Sequence, residues 1–367
     1  MRIGLLTAWA NRANGGVFEA VATHAAMLAE LGFTPHVFAL AHPDDERDSV
    51  RLEGIEVTRV PVLGPKIVGF GKGLTRRLIE ARLDVLHLHG IWTHVSADGA
   101  GWARATGRPY IISPHGMFDD WTVNRGKVKK TVARAWFERR NWKAATVFHA
   151  LTGQEAANTT SVTGCRNIEI IPNGIAIPEQ CSQPGNPPTM VCIARIHAVK
   201  NLVSLVEGWR IARAGEQGWR LVLAGWGADA DVARLKAALG EAPESDGISF
   251  VGPVYGEAKD RLLAQASFVV LPSLSEALPM GILEAWAAGV PSLMSNVIPL
   301  PEGFTSGAAI GMGTAPAEIA EGLREVISLN GPAREAMATA ARSLAIEHFS
   351  TQAIADRWTS LYRSLAD

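Results

Sequence analysis

Two cations and two carboxylates, each pair closely spaced, are the residues of this chain best suited to chemistry. In CIARIHAVKN, Arg195 follows an apolar run and Lys200 stands five residues later, just ahead of a helical pattern. A forked guanidinium and a compact ammonium on a loop entering a helix N-terminus suit a diphosphate, whose growing negative charge they would stabilise as it departs. In PSLSEALPMGILEAWAAGVP, Glu276 sits in a loop after a second apolar run, and Glu284 lies eight residues on, about one turn inside a helix opened by Pro279. Carboxylates so placed accept hydrogen bonds from ring hydroxyls and from a ribose diol, while unpaired amides at Met280–Ile282 add donors. Without chemistry, the same segments read as a charged strand–helix loop, a solvent-facing Glu276, and a Glu284 that merely favours a helix dipole.

The first half offers fewer such groups. Gly15–Gly16 falls between the first apolar run and a helical pattern, where glycine lets backbone approach a phosphate or sugar, or simply makes a tight turn. G-x-G-x-x-G is absent, so there is no dinucleotide fingerprint. His115 in SPHGMFDDW follows a strand pattern, at whose carboxyl end it would look into a cleft and bond a sugar hydroxyl or the reacting centre, or else serve a structural turn. His87, His89 and His94 in HLHGIWTH have no acidic partner nearby, and no metal site is expected. Asp229-Ala-Asp231 reads as a helix cap rather than a metal-binding D-x-D. The segment 125–143 carries eight basic residues against Glu138, with Val128, Val132, Ala135, Trp136 and Trp142 interleaved and Trp121 just before it. It reads either as a helix lying on anionic lipid or as a solvated helix with an apolar stripe to the core; Lys66, Lys72, Arg76, Arg77 and Arg82 extend the basic character.

Strands and helices must alternate to position these groups. Strand patterns occur at Ile3–Thr7, His36–Leu40, Val85–His89, Tyr110–Ser113, Thr146–Ala150 and Ile168–Ile171. In the second half they occur at Met190–Ala194, Leu221–Ala224, Ile248–Val251, Phe268–Leu271 and Ser292–Ser295. Non-alternating apolar strands separated by helices predict α/β architecture with parallel sheets covered on both faces. A Pro/Gly-rich stretch, 172–188, marks an interdomain join. The expected division is an acceptor-side domain over 1–178, a nucleotide-sugar domain over 179–350, and a terminal helix over 351–367 returning towards the first domain. Two Rossmann-like, doubly wound sheets would then face each other across a cleft at their strand carboxyl ends.

Composition narrows the classes further. The 367 residues are 47% hydrophobic and 19% charged, a packed globular composition. A net charge of −1 argues against a nucleic-acid binder. Three cysteines without C-x-x-C spacing fit a reducing compartment and no zinc. No stretch reaches the ~18–20 apolar residues of a membrane span, and Ile3–Ala10 reads as a buried strand rather than a signal core. A cytoplasmic protein is expected, held at most to the inner face of the cytoplasmic membrane.

Together these pieces resemble the retaining glycosyltransferases of family four, which have the GT-B fold. SEALPMGILE is similar to their Glu-x7-Glu motif, ARIHAVKN to their Arg–Lys element, and NGGV, IIPNGI, LAGWG and GVP…LPEGF follow in the family's order. The resemblance implies that Arg195 and Lys200 bind the donor diphosphate, Glu284 the ribose, and backbone near Val254 the base. It implies that Glu276 and His115 contact the transferred sugar and that the Gly16 amide approaches phosphate or acceptor. Leu278, in the Glu276 loop, joins the donor contacts. The chain departs from the family where Ala277 replaces a frequent glycine and Pro279–Met280 a frequent Phe–Gly. The implied reaction is metal-independent hexose transfer from a UDP- or GDP-linked donor, with no cofactor, to a saccharide or lipid-linked acceptor in bacterial exopolysaccharide synthesis. A nucleotide-sugar 2-epimerase, a pyridoxal-phosphate phosphorylase and a non-catalytic nucleotide-sugar binder share the scaffold.

Overall fold

Runs such as Met190–Ile193 and Phe268–Leu271 are apolar on both faces, so they can only lie inside a sheet covered above and below. The structure, a computed structural model, describes residues 1–119 and 127–366, with backbone alone for Lys127 and Val128. Trp121 and Arg125, noted in the sequence, lie outside the described residues. The chain divides into two compact units: Met1–Gly174 with Ile354–Asp367, and Ile175–Ala353.

The first unit holds strands Arg2–Trp9 (β1), Thr34–Leu40 (β2), Glu56–Val60 (β3), the short antiparallel pair Val62–Leu63 (β4) and Phe70–Gly71 (β5), and Val85–His89 (β6). Tyr110–Ser113 (β7), Val147–Ala150 (β8) and Ile168–Ile170 (β9) complete it. Its main sheet runs β3-β2-β1-β6-β7-β8-β9, with every pair parallel. The second unit holds Thr189–Ile193 (β10), Arg220–Ala224 (β11), Ile248–Gly252 (β12), Phe268–Leu271 (β13), Ser292–Ser295 (β14) and Ala309–Met312 (β15). These form a parallel sheet in the order β12-β11-β10-β13-β14-β15. In both, the order reverses beside the first strand, the switch point where doubly wound sheets open a binding crevice.

The strands read from the sequence are present within a residue or two of their expected limits. Glu56–Val60 and Ala309–Met312 went unread. The first is an edge strand with a polar face, and the second is four residues containing a glycine, so neither gives a sustained apolar run. The Pro/Gly-rich stretch is divided rather than set apart. From Ile175 onward it belongs to the second unit, where the Ile175 amide donates to the Phe349 carbonyl at 2.8 Å.

The terminal helix Thr351–Ala366 inserts Ile354, Ala355, Trp358 and Tyr362 into a core shared with Ile3, Val21, Leu28 and Val37 of the first unit. Trp358 is 4% exposed and its ring lies 4.3 Å from that of His24 and 4.6 Å from that of His149. Removing so large a buried ring leaves a cavity its neighbours cannot fill. Trp358→Ala should lower the unfolding free energy of the first unit by about 3–5 kcal/mol in a denaturant titration; a loss below about 1 kcal/mol would contradict this packing.

Candidate functional site

In the second unit the chain brings Lys200 and Glu276 into direct contact. Arg195 leaves the carboxyl end of β10, and a single turn at Ala198–Lys200, capped by His197, carries Lys200 to the start of helix Leu202–Ala212. Asn201, in the left-handed region at φ 57°, donates its side-chain amide to the carbonyls of Pro272 (3.3 Å) and Thr314 (2.8 Å), tying this loop to the ends of β13 and β15. The Leu274 amide donates to the Val199 carbonyl at 2.8 Å, fastening the Glu276 loop alongside. Lys200 Nζ then donates to Glu276 Oε1, which also accepts from the Ser273 hydroxyl at 2.6 Å. The side chains are 21% and 9% exposed, so the pair is partly withdrawn from water. Removing either partner would strand the other's charge, the expensive way to break such a pair.

Arg195 has no carboxylate partner among the described residues. Its guanidinium lies over the Trp226 ring, 5.3 Å from the centroid. Trp226 is carried between two glycines that cannot be replaced. A Cβ on Gly225 would come within 1.8 Å of the Ala194 carbonyl oxygen, and one on Gly227 within 2.2 Å of that of Ile196. Backbone contact at this distance lets the LAGWG loop brace the Arg195 loop from behind.

Glu284 lies in helix Met280–Ala287, which Pro279 precedes rather than opens. Glu284 Oε1 accepts from Lys259 Nζ at 2.8 Å. Lys259 is in the first turn of helix Glu257–Ala264, just after the loop bearing Val254. Sequence reading missed Lys259, although a cation where a helix favours anions was the available signal. Leu278 is 8% exposed, so its side chain is part of the packing and only its backbone is left to face a ligand. Among the described residues, then, Lys200 and Glu276 meet each other, whereas Arg195 is held by Trp226 and Glu284 by Lys259. Asp229 is the first helical residue after Ala228, not the cap itself.

In the first unit Gly16 is the exposed first residue of helix Gly16–Glu30, entered through Gly15 at φ 59°. Asn14 fastens the preceding loop by donating to Thr7 Oγ1 (2.8 Å) and the Trp9 carbonyl (3.0 Å). His115 takes a left-handed conformation at φ 52°, and Gly116 follows at φ 74°. The Gly116 amide donates to Glu155 Oε1 at 2.6 Å, and the Leu151 amide to Glu155 Oε2 at 2.8 Å. His89 Nδ1 and His115 Nε2 are 2.9 Å apart.

Beneath His115 lies a group of buried histidines. His24, His87 and His89 have ligand atoms within 4.8 Å of one another, close enough to suggest a metal. Both His87 nitrogens are already committed, Nδ1 to Tyr362 at 2.7 Å and Nε2 to Ser113 at 2.5 Å, so the cluster is a hydrogen-bond network. Its directions follow from one acceptor. The Ile171 carbonyl can only accept from His149 Nε2 (2.6 Å), which leaves His149 Nδ1 to accept from Ser113 (2.6 Å). Ser113 in turn accepts from His87 Nε2, and His87 Nδ1 from the Tyr362 hydroxyl. Sequence reading named His87 and His89 but missed His24, His149, Glu155 and Tyr362, which are far apart in the chain.

The basic segment forms helix Lys127–Ala133, a wider turn over Arg134–Glu138, and helix Arg139–Ala144. Its apolar residues go two ways. Phe137 and Trp142 are buried, while Val132 and Trp136 are 57% and 55% exposed. Trp136 stands 5.7 Å from the His94 ring, which stands 4.7 Å from Phe70, itself 40% exposed. No helix among the described residues is long and apolar enough to cross a membrane.

Two doubly wound parallel sheets, each with helices on both faces, are the architecture of the GT-B fold. A family model described as Glycosyltransferase Family 4 matches residues 14–177, and one described as Glycosyl transferases group 1 matches residues 175–344; the chain belongs to this family. It is 24% identical over 253 residues to a GDP-mannose:cellobiosyl-diphosphopolyprenol alpha-mannosyltransferase of Xanthomonas campestris, covering 67% of this chain and 64% of that relative, just under two thirds of its length. A Komagataeibacter xylinus protein of the same description is 26% identical over 324 residues, covering 86% and 79%. Anabaena HepE, solved with UDP and glucose, superposes with a TM-score of 0.78 at 15% identity, covering 99% of this chain and 100% of that one.

Burial also sets a pH dependence. Desolvation, with repulsion from neighbouring histidines, brings His24 and His115 down to about 3. Desolvation brings His149 down to about 4, and His87 and His89 fall well below the ordinary value of 6.5. These rings are neutral when folded but take up protons when unfolded, so their contribution is intact above pH 6.5 and shrinks as pH falls towards 4. Each ring costs about 1.4 kcal/mol of stability per pH unit over that window. Denaturant titrations at pH 7.5 and 5.5 should therefore show the first unit weaker by several kcal/mol at the lower pH. Equal stabilities would contradict the neutral, buried network.

Proposed function

We propose that this chain is a retaining, metal-independent hexosyltransferase that moves a sugar from a UDP- or GDP-linked donor to a saccharide or lipid-linked saccharide in bacterial surface polysaccharide assembly. The observation that carries the reading is the Lys200–Glu276 contact, a partly buried ammonium–carboxylate pair whose lysine follows on the same loop as Arg195, which has no carboxylate partner among the described residues. A diphosphate suits this arrangement. Arg195 and Lys200 supply the donors, and charge that develops on the departing group is met by dipoles and cations already in place. Glu276 and His115 contact the transferred sugar, Glu284 the ribose, the Gly16 amide the phosphate or acceptor, and backbone at Val254 and Leu278 the donor. The leaving diphosphate takes the proton of the acceptor hydroxyl as that hydroxyl attacks from the same face, so no protein nucleophile is needed.

Supporting the choice of donor, HepE is described in complex with UDP and glucose, and the Xanthomonas relative as GDP-mannose-dependent and acting on a diphosphopolyprenol. A lipid-linked acceptor gives the exposed Val132, Trp136 and Phe70 a purpose: they sit with Lys129 and Lys130 on a surface able to rest on anionic lipid at the inner face of the cytoplasmic membrane.

Lys200→Ala and Glu276→Ala should each reduce kcat/KM for transfer at least ~100-fold, about 3 kcal/mol of transition-state stabilisation, while leaving the fold intact by circular dichroism. Near-wild-type turnover in either folded variant would refute the assignment. A thermal-shift panel of UDP-, GDP- and ADP-sugars should show one donor raising the melting temperature through mass action, and donor consumption should require an acceptor; consumption without one would indicate an epimerase. Replacing Lys127, Lys129 and Lys130 together by glutamate should abolish flotation with anionic liposomes, and unchanged flotation would discard the membrane contact.

A further inference from the structure

His115 needs a defined proton position to serve a sugar hydroxyl, since neutral imidazole carries a hydrogen on only one nitrogen. Its Nε2 faces His89 Nδ1 at 2.9 Å, and the two rings are nearly parallel, 21° apart. One hydrogen lies between them, and the other end of His89 decides whose it is. His89 is 2% exposed, and its Nε2 has no hydrogen-bond partner among the described residues. If His115 supplied the shared hydrogen, neutral His89 would carry its own on Nε2, as a buried donor with nothing to accept it. If His89 supplies the hydrogen from Nδ1, Nε2 is left only as an unmet lone pair. Buried orphan N–H donors are the rarer state. His89 Nδ1–H therefore donates to His115 Nε2. That places the His115 hydrogen on Nδ1, which forms no hydrogen bond among the described residues and is free to donate.

The ring's position is set from below. His115 at φ 52° followed by Gly116 at φ 74° is a backbone shape that a non-glycine residue adopts only under constraint. The constraint is Glu155, 4% exposed, whose two oxygens accept the amides of Gly116 after β7 and Leu151 after β8. The Thr152 side chain caps the Glu155 amide and fixes that carboxylate at its helix N-terminus. One carboxylate thus joins two strand ends and holds the turn that presents His115.

We propose that His89 and Glu155 are positioning residues for His115: His89 fixes its tautomer as an Nδ1–H donor, and Glu155 fixes the turn that aims it. This rests on the proposed contact between His115 and the transferred sugar. Burial supports it, because His115 is brought down to about 3 and so acts as a neutral donor rather than as an acid at neutral pH.

The tautomer is read first on the unaltered protein labelled with 15N-histidine, the His115 signals being assigned by their loss in His115→Gln. The expected pattern is a protonated Nδ1 and a lone-pair Nε2 hydrogen-bonded to a donor; a protonated Nε2 on His115 overturns the inference, whatever the activity. Kinetics follow. His89→Phe keeps a packed ring but loses the donor, and should lower kcat about 10–100-fold with donor KM unchanged, as when the outer partner of a functional histidine is removed. His89→Asn, whose amide nitrogen occupies the place of Nδ1, should restore most of that loss. Glu155→Gln, which turns an N–H towards one of the two amides, should lower kcat in the same way. Transfer that is present but indifferent to His89→Phe and Glu155→Gln overturns the inference while the transferase reading stands. No transfer from any nucleotide-sugar would instead sink that reading, and the tautomer would still be decided by the spectrum.

Discussion

An ammonium and a carboxylate drawn partly out of water are costly to part, and this constraint organises the second unit. Lys200 and Glu276 come from loops after different strands, 76 residues apart. The loops around them are correspondingly over-fastened. Asn201 bridges to Pro272 and Thr314, Leu274 bonds Val199, and Ser273, itself held through its carbonyl by Ser295, donates to Glu276. Each bond alone is worth about 1 kcal/mol. Together they remove the freedom the two side chains would need to separate.

The first unit solves the opposite problem. Besides the Arg12–Asp48 ion pair, its strand ends carry a set of histidines kept neutral by burial, the directions of the His149–Ser113–His87 chain being dictated by a single carbonyl, Ile171. Neutral donors and acceptors suit a sugar face, where hydroxyls must be oriented without strong charge. Charged groups suit the phosphate side. Eight of the ten histidines belong to the first unit, while Arg195, Lys200, Glu276 and Glu284 all belong to the second. The contrast between the units is visible in residue type alone.

How much of this could be read from the chain follows from how local each signal is. Both parallel sheets were legible because their central strands are short runs apolar on both faces. The places of Arg195, Lys200, Glu276 and Glu284 in their loops and helix were legible because each lies within one strand–loop–helix unit, whereas the contacts that join Lys200 to Glu276, Arg195 to Trp226 and Glu284 to Lys259 were not. Lys259, Trp226, Glu155 and the partners of His87 were not, since each acts through a residue on a different loop or strand. Edge strand Glu56–Val60 and the glycine-bearing Ala309–Met312 lacked the apolar run that marks a core strand. The basic segment promised one amphipathic face; instead the wide turn at Arg134–Glu138 rotates Trp136 outward and Phe137 and Trp142 inward.

The central claim is that these four charged side chains serve one sugar diphosphate. It is tested most directly by an experimental structure with an unhydrolysed nucleotide-sugar bound. Pyrophosphate oxygens are expected within about 3 Å of the Arg195 guanidinium and Lys200 Nζ, with the Glu284 carboxylate on the ribose diol. A donor bound elsewhere, with Arg195 still stacked on Trp226 and Lys200 bonded to Glu276 alone, would contradict it.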